Sequence, residues 1–388
     1  MKKNKIFIIA VSILLAIIAL VNFSGRAIYA VFADETYDVK SFCLIDANTG
    51  IILKEKNSNE KYEVASMVKL MTSLLTMEKI ERGEWTLDTM LTVSEYAASM
   101  EGSQAFLDAG KSYKIDDLLK SVVVASANDS SVVLAEGYAG TENAFVGIMN
   151  TRAKELGMTD TLYGNSTGLP ALHQYSTALD IAKLLNVVSK HELYRTYSAI
   201  WIDNLVHESG RVTELVNTNR LIKYYPGCEC GKTGFTDEAG YCLSVSAKRN
   251  DLRLISVVMG ARSSSDRFSI SSSILNYGFS NFKSKKLVDC QQPIISNEKV
   301  KGNKNFVECV PANDLFVTEK YGTETSNYTT KTEFNKIKTP IKKGDIVGTI
   351  SIVNGNETIS STNLIATEDY VTPGYIDVIH EIFNHWSI

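Results

Sequence analysis

The sequence predicts an α+β protein of two domains, an antiparallel sheet with flanking helices followed by a small all-β domain. From Tyr37 to about Phe282, strand-like and helix-like segments alternate along the chain. From Ser284 to Thr372, the chain is rich in Thr, Asn, Val, Ile and Gly, with short alternating runs and little helical periodicity. A chain of 388 residues with 44% apolar content is long enough for two domains. We therefore place the domains at residues 34–283 and 284–373.

Local patterns predict the elements of the first domain. Asn48-Thr49-Gly50 lies between two strand-like runs, which indicates a hairpin. Ser66 to Arg82 has apolar residues on more than one helical face and is followed by Gly83, which predicts a buried helix with a glycine cap. Ser126 to Asp129 separates two further helices, and we expect an exposed loop there because such residues compete with helical hydrogen bonds. Three antiparallel strands and a closing helix complete the domain, at Gly231–Phe235, Tyr241–Lys248, Leu252–Gly260 and Ser272–Phe279.

The first 33 residues predict a signal peptide. Three lysines, an apolar run and a small residue at a cleavage point follow one another, at Lys2, Lys3, Lys5, Ile6–Val21 and Ala33. The alternative is a retained N-terminal anchor, because the run is near the short limit for a spanning helix of roughly 17 residues. In both cases we expect the rest of the chain to be exported and to lie outside the cytoplasm, at the membrane face or in the cell wall.

The tail at residues 374–388 predicts an amphipathic helix. Its apolar face carries Ile376, Ile379, Phe383 and Trp386. One interpretation is contact with a membrane surface, although the segment has no Lys or Arg to attract anionic lipid. The other is packing against the β domain.

Charge and cysteine content exclude several classes of protein. The formal net charge is −4, and it becomes more negative if the basic leader is removed, so nucleic acid is not an expected partner. Six cysteines are too few for a disulfide framework, and no C-x-x-C spacing of a zinc site occurs. Cys230 and Cys242 would face each other if their hairpin were centred on Thr236, and we weigh a cross-strand disulfide or thiol pair against unpaired cysteines.

Three short motifs follow one another along the chain and predict nucleophilic catalysis. They are Ser66-Met67-Val68-Lys69, Ser126-Ala127-Asn128 and Lys232-Thr233-Gly234. The three-residue spacing on a helix brings the Lys69 amine within reach of the Ser66 hydroxyl, which is otherwise a poor nucleophile. Lys69 can act as the base if it is neutral, which requires burial and a nearby cation such as Lys232.

The same motifs predict an oxyanion hole. The backbone N–H of Ser66, at a helix N-terminus, and that of Phe235, on a strand edge, would bind the developing negative charge. Gly234 would let a substrate backbone approach that strand closely. Each motif alone also fits an ordinary cap, turn or strand end, but the three together on an exported chain favour the catalytic interpretation.

The segments around these motifs resemble the low-molecular-mass penicillin-binding D-alanyl-D-alanine carboxypeptidases. The resemblance covers residues 38–283 closely, and the β-rich remainder is similar only in position and texture. The matching segments are Val64–Thr72, Ser126–Asp129, Asn165–Leu169, His173, Tyr175–Ala178, Asp180, Asn217–Asn219, Gly231–Gly234 and Thr236–Tyr241. The departures are Val64, Ala127 and Ser166-Thr167, and none of them removes a reactive group.

The resemblance implies a serine β-lactamase/transpeptidase-like domain that acts without metal or cofactor. It implies that Ser66 is acylated and that Lys69 is the base. Ser126 and Asn128 would relay a proton and hold the substrate amide. Lys232 and Thr233 would bind the terminal carboxylate, supported by Arg267, which is an appropriate partner for that group. The expected substrate is the D-Ala-D-Ala end of a peptidoglycan stem peptide, and β-lactam antibiotics would acylate the same serine.

Three alternatives stay open on the sequence. A class A β-lactamase shares the short motifs but uses a dedicated Glu, and no E-x-x-L-N run follows Ser126. A penicillin-binding sensor would be acylated without turnover, and a D,D-endopeptidase would cleave cross-links instead of stem termini. The chemistry requires no histidine, and His191, His207, His380 and His385 are predicted as ordinary surface or packing residues.

Overall fold

The computed structural model describes residues 37–299, 306–323, 327–336, 338–371 and Gly374. The predicted leader at residues 1–33 and all but the first residue of the predicted tail lie outside these ranges. Within them, no helix is both long enough and apolar enough to cross a membrane.

The described chain alternates helices and strands up to residue 281 and is strand-rich after it. Nine α-helices are described: α1 Lys69–Glu81, α2 Glu95–Ala98, α3 Ile115–Val124, α4 Asn128–Ala139, α5 Glu142–Glu155, α6 Ala178–Val188, α7 Glu192–Ser198, α8 Leu221–Tyr224 and α9 Ser264–Asn281. Sixteen strands are described: β1 Ser41–Asp46, β2 Ile52–Lys56, β3 Met90–Thr92, β4 Ser112–Lys114, β5 Ile202–Val206, β6 Val212–Val216, β7 Cys228–Thr236, β8 Gly240–Arg249, β9 Leu252–Ala261, β10 Phe282–Val288, β11 Ile294–Lys299, β12 Phe306–Pro311, β13 Leu315–Lys320, β14 Tyr328–Phe334, β15 Ile346–Asn354 and β16 Glu357–Ala366.

A five-stranded antiparallel sheet forms the centre of the first domain. Its strand order is β2-β1-β9-β8-β7, so β7, which carries Lys232 to Phe235, lies at an edge. Side chains alternate between the two faces of the sheet. Leu44 and Leu254 face α9, where a Cβ on Gly278 would lie 3.0 Å and 2.5 Å from them. The neighbouring residues on β1 and β9 pack into the core that contains α6, so the sheet lies between two layers of helix.

Helix α1 is the centre of the helical layer. It contacts α3, α4 and α6, and its residues from Lys69 to Met77 are all buried. Leu70 and Leu74 are fully buried, and each such side chain contributes about 1.5–3 kcal/mol through removal from water. The predicted buried helix at 66–82 is thus confirmed, with its first turn in 3₁₀ geometry at Ala65–Val68.

The second domain is an all-β unit, as the sequence predicts. Its five-stranded sheet has the order β11-β12-β16-β15-β14, and β10 pairs with β13 in a second ribbon. Val307, Ile352 and Leu364 are fully buried in its core. Thr318 on β13 joins this unit to the first domain, because its hydroxyl donates to the buried Asp46 carboxylate over 2.7 Å.

The structure corrects two predictions about secondary structure. The closing helix begins at Ser264 instead of Ser272, so Arg267 lies on it. The β7–β8 hairpin pairs Thr236 with Gly240, so it is centred two residues later than predicted. As a result Cys230 lies opposite Ser246 and Cys242 opposite Gly234, which makes the proposed cross-strand pair wrong. Every described cysteine is a free thiol.

Candidate active site

The Ser66 turn brings the predicted nucleophile and the predicted base together. The chain enters it through Ala65, which has a positive φ of 48°, and continues directly from the 3₁₀ turn into α1. Lys69 Nζ lies 3.1 Å from Ser66 Oγ. Ser66 is half-buried, so its hydroxyl is reachable from solvent. The predicted helical juxtaposition of the two groups is therefore present.

The surroundings of Lys69 favour a neutral amine. Its side chain is fully buried, and Nζ donates to Asn128 Oδ1 over 2.6 Å and to the Thr167 carbonyl over 2.5 Å. Burial and the charge of Lys232 together hold the pKa of Lys69 well below its ordinary value. A neutral amine has two N–H groups and one lone pair. The two acceptors use the N–H groups, and the lone pair is left to face the Ser66 hydroxyl.

The Ser126-Ala127-Asn128 segment leads from α3 into the first residue of α4 and is buried, not exposed as predicted. Ser126 and Asn128 are 4% and 3% exposed. Ser126 has a positive φ of 65°, and its hydroxyl accepts from Lys232 Nζ over 2.8 Å. Asn128 donates through Nδ2 to the Glu101 carbonyl over 2.5 Å. Because Oδ1 accepts from Lys69, these two contacts fix the orientation of the amide.

Lys232 lies on the opposite side of the same polar cluster. It is 2% exposed, and its Nζ donates to Ser126 Oγ and to the Thr233 carbonyl. Burial and the nearby Arg267 guanidinium lower the pKa of Lys232 to about 7. The Thr233 hydroxyl donates to Thr218 Oγ1 over 2.7 Å. The cluster thus contains two hydrogen-bonded sets, Ser66–Lys69–Asn128 and Ser126–Lys232, joined along the chain at Ser126 to Asn128.

The free edge of β7 presents backbone N–H groups to the cleft. The Gly231 carbonyl accepts from the Tyr194 hydroxyl, and the Thr233 carbonyl accepts from Lys232 Nζ, so both point away from β8. In an antiparallel ladder the backbone groups of alternate residues point to the same side. The Phe235 N–H therefore also points outward at the open edge. Its position supports the predicted role beside the Ser66 N–H.

Gly234 lies in close contact with the turn that carries Ser66, and its predicted role in admitting a substrate backbone stays a prediction. A Cβ at Gly234 would lie 2.8 Å from the Val64 carbonyl and 3.2 Å from the Ser66 backbone nitrogen. The glycine therefore lets β7 pack directly against the turn that carries the nucleophile. Gly168 does the same from the other side, since its Cβ would lie 1.9 Å from the Ala65 carbonyl.

Arg267 lies behind β7, on α9. It is 9% exposed, and Nη1 donates to the Gly234 carbonyl over 3.0 Å. Its guanidinium lies 5.5 Å from the centroid of the Tyr241 ring, which stacks on the half-exposed Phe235 ring at 4.3 Å. Arg267 therefore places a positive charge close to the strand that carries Lys232 and Thr233.

Comparison with known proteins assigns the family. A family model described as D-alanyl-D-alanine carboxypeptidase matches residues 30–263. The chain belongs to this carboxypeptidase family. A second model, the C-terminal domain of penicillin-binding protein 5, matches residues 282–372. These matches confirm the resemblance that the segments around the motifs indicated, and they make the chain a serine hydrolase of this family.

This chain is similar to known relatives and solved structures over most of its length. It is 36% identical over 352 residues to D-alanyl-D-alanine carboxypeptidase DacF of Bacillus subtilis, with 90% of each chain covered. It is 31% identical to carboxypeptidase DacC of Escherichia coli, covering 90% of this chain and 89% of that one. The crystal structure of penicillin-binding protein 5 from Haemophilus influenzae superposes with a TM-score of 0.70 at 29% identity, covering 87% of this chain and 98% of that chain.

Sequence analysis missed several groups that complete this carboxypeptidase site. The Thr167 carbonyl accepts from Lys69, and the loop that carries it is held by Asn165 Oδ1, which accepts from the Gly168 N–H over 2.7 Å. Asp129 is buried and accepts backbone N–H groups from Ala105, Leu107 and Ser130. A backbone carbonyl leaves no mark in a sequence pattern. Asn165 and Asp129 lay within the matching segments. Asn165 bonds within its own loop, whereas the Ala105 and Leu107 partners of Asp129 are distant in sequence.

Proposed function

We propose that this protein is a serine D-alanyl-D-alanine carboxypeptidase in which Ser66 is the nucleophile and Lys69 the base. It removes the terminal D-alanine from peptidoglycan pentapeptide stems through an acyl-enzyme. The observation that carries the proposal is the buried Lys69 amine, 3.1 Å from Ser66 Oγ, with both of its N–H groups occupied by other acceptors.

Acylation follows from this arrangement. Lys69 Nζ takes the proton of Ser66 as Oγ bonds to the carbonyl carbon of the penultimate D-alanine. The N–H groups of Ser66 and Phe235 bind the resulting oxyanion. As the C–N bond breaks, the leaving amine takes a proton from Ser126, and Ser126 is reprotonated with the proton that Lys69 took from Ser66. Lys69 is then neutral again, and Lys232, whose Nζ lies 2.8 Å from Ser126 Oγ, keeps its charge. D-alanine leaves and Ser66 carries the acyl group.

The terminal carboxylate of the substrate gives this site its specificity. Lys232, Thr233 and Arg267 offer a hydroxyl and two cations at one end of the β7 edge. Asn128, whose amide is fixed by Lys69 and Glu101, lies on the opposite wall and holds the substrate amide. A free carboxylate is the feature that distinguishes a stem terminus from an interior peptide bond.

Deacylation uses the same base. Lys69 takes a proton from water, and the resulting hydroxide equivalent adds to the acyl carbonyl. Ser66 Oγ then leaves and takes the proton back from Lys69. In the described chain, the carboxylates of Asp129 and Glu142 contact the loops around Lys69. The Asp129 carboxylate already accepts the Ala105 N–H, and the Glu142 carboxylate already accepts the Ser166 N–H. A class A β-lactamase instead uses a dedicated Glu for this water. Penicillin acylates Ser66 and leaves slowly.

The proposed site of action is outside the cytoplasmic membrane. The basic residues Lys2, Lys3 and Lys5, followed by the apolar run Ile6–Val21, support export of the chain. Peptidoglycan stems are reached on that side. Contact of the tail with a membrane surface belongs to the same proposal and is supported by its Phe383 and Trp386.

The test is release of D-alanine from diacetyl-Lys-D-Ala-D-Ala by the purified protein. Wild type and Ser269→Ala, which alters an exposed serine on α9, are expected to turn over steadily, whereas Ser66→Ala releases none. Labelling of Ser66 by fluorescent penicillin without release of D-alanine would contradict the proposal and favour a sensor. Cleavage of dimeric muropeptides without cleavage of the pentapeptide would favour an endopeptidase.

A further inference from the structure

The β5–β6 hairpin makes a set of polar contacts that the proposed chemistry does not use. His207, at the end of β5, is 2% exposed, and its Nδ1 lies 2.7 Å from the Tyr113 hydroxyl. Its Nε2 lies 2.8 Å from Thr213 Oγ1 on β6. Both ring nitrogens therefore have partners. His207 was predicted as an ordinary surface or packing residue, but it is a buried polar junction between the hairpin and Tyr113 on β4, whose hydroxyl accepts from the Asp108 N–H in the preceding loop over 3.2 Å.

Arg211, four residues further on, binds that loop directly. Its Nη2 donates to the Phe106 carbonyl over 2.6 Å and to Asp108 Oδ1 over 2.8 Å. Phe106 has a positive φ of 58° and is 57% exposed, so its conformation is costly without outside support. The hairpin supplies that support through a charge-assisted bond to the strained residue.

The same loop determines how Asn128 is held. The Glu101 carbonyl accepts from Asn128 Nδ2 over 2.5 Å, and the Ser103 carbonyl accepts from the Asn128 backbone N–H over 2.7 Å. Further along the loop, the N–H groups of Ala105 and Leu107 each donate to the Asp129 carboxylate over 3.0 Å. Residues 101–108 thus contact the catalytic segment with one side and the hairpin with the other.

The hairpin also reaches the opposite wall of the cleft. Strand β6 continues into Thr218, whose backbone N–H donates to the Val124 carbonyl at the end of α3, two residues before Ser126. Its hydroxyl accepts from Thr233 Oγ1 over 2.7 Å. One ribbon therefore contacts both the support of Asn128 and the threonine of the carboxylate site.

We propose that the β5–β6 hairpin is a positioning element of the active site, in which His207 and Arg211 hold residues 101–108 and thereby fix the Asn128 amide. The inference rests on the proposed function, because it assigns Asn128 to the substrate amide. His207 and Arg211 are positioning residues and touch neither the substrate nor Ser66. Displacing a positioned group by about 1 Å lowers a rate by on the order of 100-fold.

The experiment uses Arg211→Ala and, as a matched control, Arg82→Ala. The two arginine side chains are 40% and 47% exposed, and each binds a neighbouring carboxylate, but Arg82 lies at the end of α1 away from the cleft. The expected result for Arg211→Ala is a loss of about 10- to 100-fold in kcat/KM for diacetyl-Lys-D-Ala-D-Ala and in acylation by fluorescent penicillin. Arg211→Lys, which can keep one of the two contacts, is expected to recover part of the activity.

A second measurement separates positioning from general loss of structure. Hydrogen exchange of the full chain is expected to accelerate at Ala105 and Leu107 in Arg211→Ala and to stay unchanged in α1. Tyr113→Phe, which removes only the hydroxyl that bonds His207, is expected to accelerate exchange at the same two amides and to lower kcat/KM. Wild-type activity in Arg211→Ala with faster exchange at the two amides would overturn the inference and leave the carboxypeptidase assignment intact. An inactive wild type would instead reject the proposed function itself.

Discussion

At the scale of single residues, the proposed mechanism depends on two lysines that must differ in charge. Lys69 and Lys232 are both buried, and burial lowers the pKa of each. The charge of Lys232 lowers the pKa of Lys69 further. Lys69 can accept the Ser66 proton only when neutral, whereas Lys232 binds a carboxylate only when charged. Position decides these roles, because the two side chains are chemically identical.

Exchange of each lysine for arginine tests this division. Arginine cannot lose its proton in a protein. Lys69→Arg is therefore expected to lower the rate of acylation by fluorescent penicillin by about 10²–10⁴-fold, the usual contribution of a general base. Lys232→Arg keeps the positive charge and is expected to lose much less. Equal losses in the two variants, with both proteins folded by circular dichroism, would contradict the assignment of Lys69 as the base.

The lowered pKa of Lys232 also predicts how stability depends on pH. Below pH 7 both folded and unfolded chains hold the Lys232 proton, and the folded chain carries the full cost of a buried charge. Between about 7 and the ordinary value of 10.5, the unfolded chain binds more protons, so the free energy of unfolding rises with pH. In Lys232→Met this contribution is absent. Below this pH range, the free energy of unfolding of Lys232→Met is expected to exceed that of wild type by a few kcal/mol. The difference between the two proteins decreases as the pH rises through the range.

Urea denaturation of wild type and Lys232→Met, at pH values below, within and above this pH range, measures this gap. Loss of the hydrogen bond to Ser126 shifts the gap by a constant amount and leaves its slope unchanged. A gap that does not vary with pH would show that Lys232 keeps its ordinary pKa in the folded protein.

At the scale of elements, the position of Ser66 depends on close packing of three backbone segments. The Ser66 turn lies between β7 and the loop at residues 165–169. Gly234 and Gly168 allow these contacts because neither has a Cβ. Asn165 holds the loop through its bond to the Gly168 N–H. The nucleophile is therefore placed by glycines on neighbouring elements as well as by its own helix.

Gly168→Ala is expected to damage both stability and activity. The added Cβ would lie 1.9 Å from the Ala65 carbonyl, in addition to the strain of a φ of +84°. Gly157→Ala is the matched control, since its φ is +68° and nothing lies within 4 Å of the added Cβ. We expect the control to cost about 1 kcal/mol, the usual cost of positive φ. Gly168→Ala is expected to cost at least about 2 kcal/mol more and to abolish labelling by fluorescent penicillin. Similar unfolding free energies for the two variants would show that the loop retreats without cost.

Sequence patterns predicted the elements of this site better than their register. The helix after Ser66 was predicted because its apolar residues recur at helical spacing over several turns. The β7–β8 hairpin was placed two residues out of register, because its turn at Asp237 to Ala239 has no glycine pair to mark its centre. The loop at Ser126 was predicted as exposed because residues of its kind compete with helical hydrogen bonds. Burial there depends on partners distant in the chain, above all Lys69 and Lys232.

At the scale of the whole molecule, the sequence predicted two domains but not the contact between them. The change of composition after Lys283 marks the point where β10 begins the second domain. A central part of the contact is made by Asp46, a fully buried residue at the end of β1. Its Oδ2 accepts from the Thr318 hydroxyl, and its Oδ1 accepts from the Asn48 N–H over 2.9 Å. A pairing between residues so far apart leaves no periodic signal.

Thr318→Val tests whether this contact stabilises the protein. Valine has nearly the shape of threonine but offers no hydroxyl, so the buried Asp46 carboxylate loses a hydrogen bond at 2.7 Å. The loss of one such partner costs about 1–3 kcal/mol. We therefore expect urea denaturation to show a lower free energy of unfolding by this amount. Because Thr318 lies outside the catalytic cluster, kcat/KM per folded molecule is expected to stay at the wild-type value.

Thr330→Val, at an exposed position on β14, is the matched control and should leave stability unchanged. Equal stability of the two variants would mean that Asp46 is satisfied without Thr318, whereas reduced activity in Thr318→Val would mean that the contact between the domains helps to shape the catalytic site.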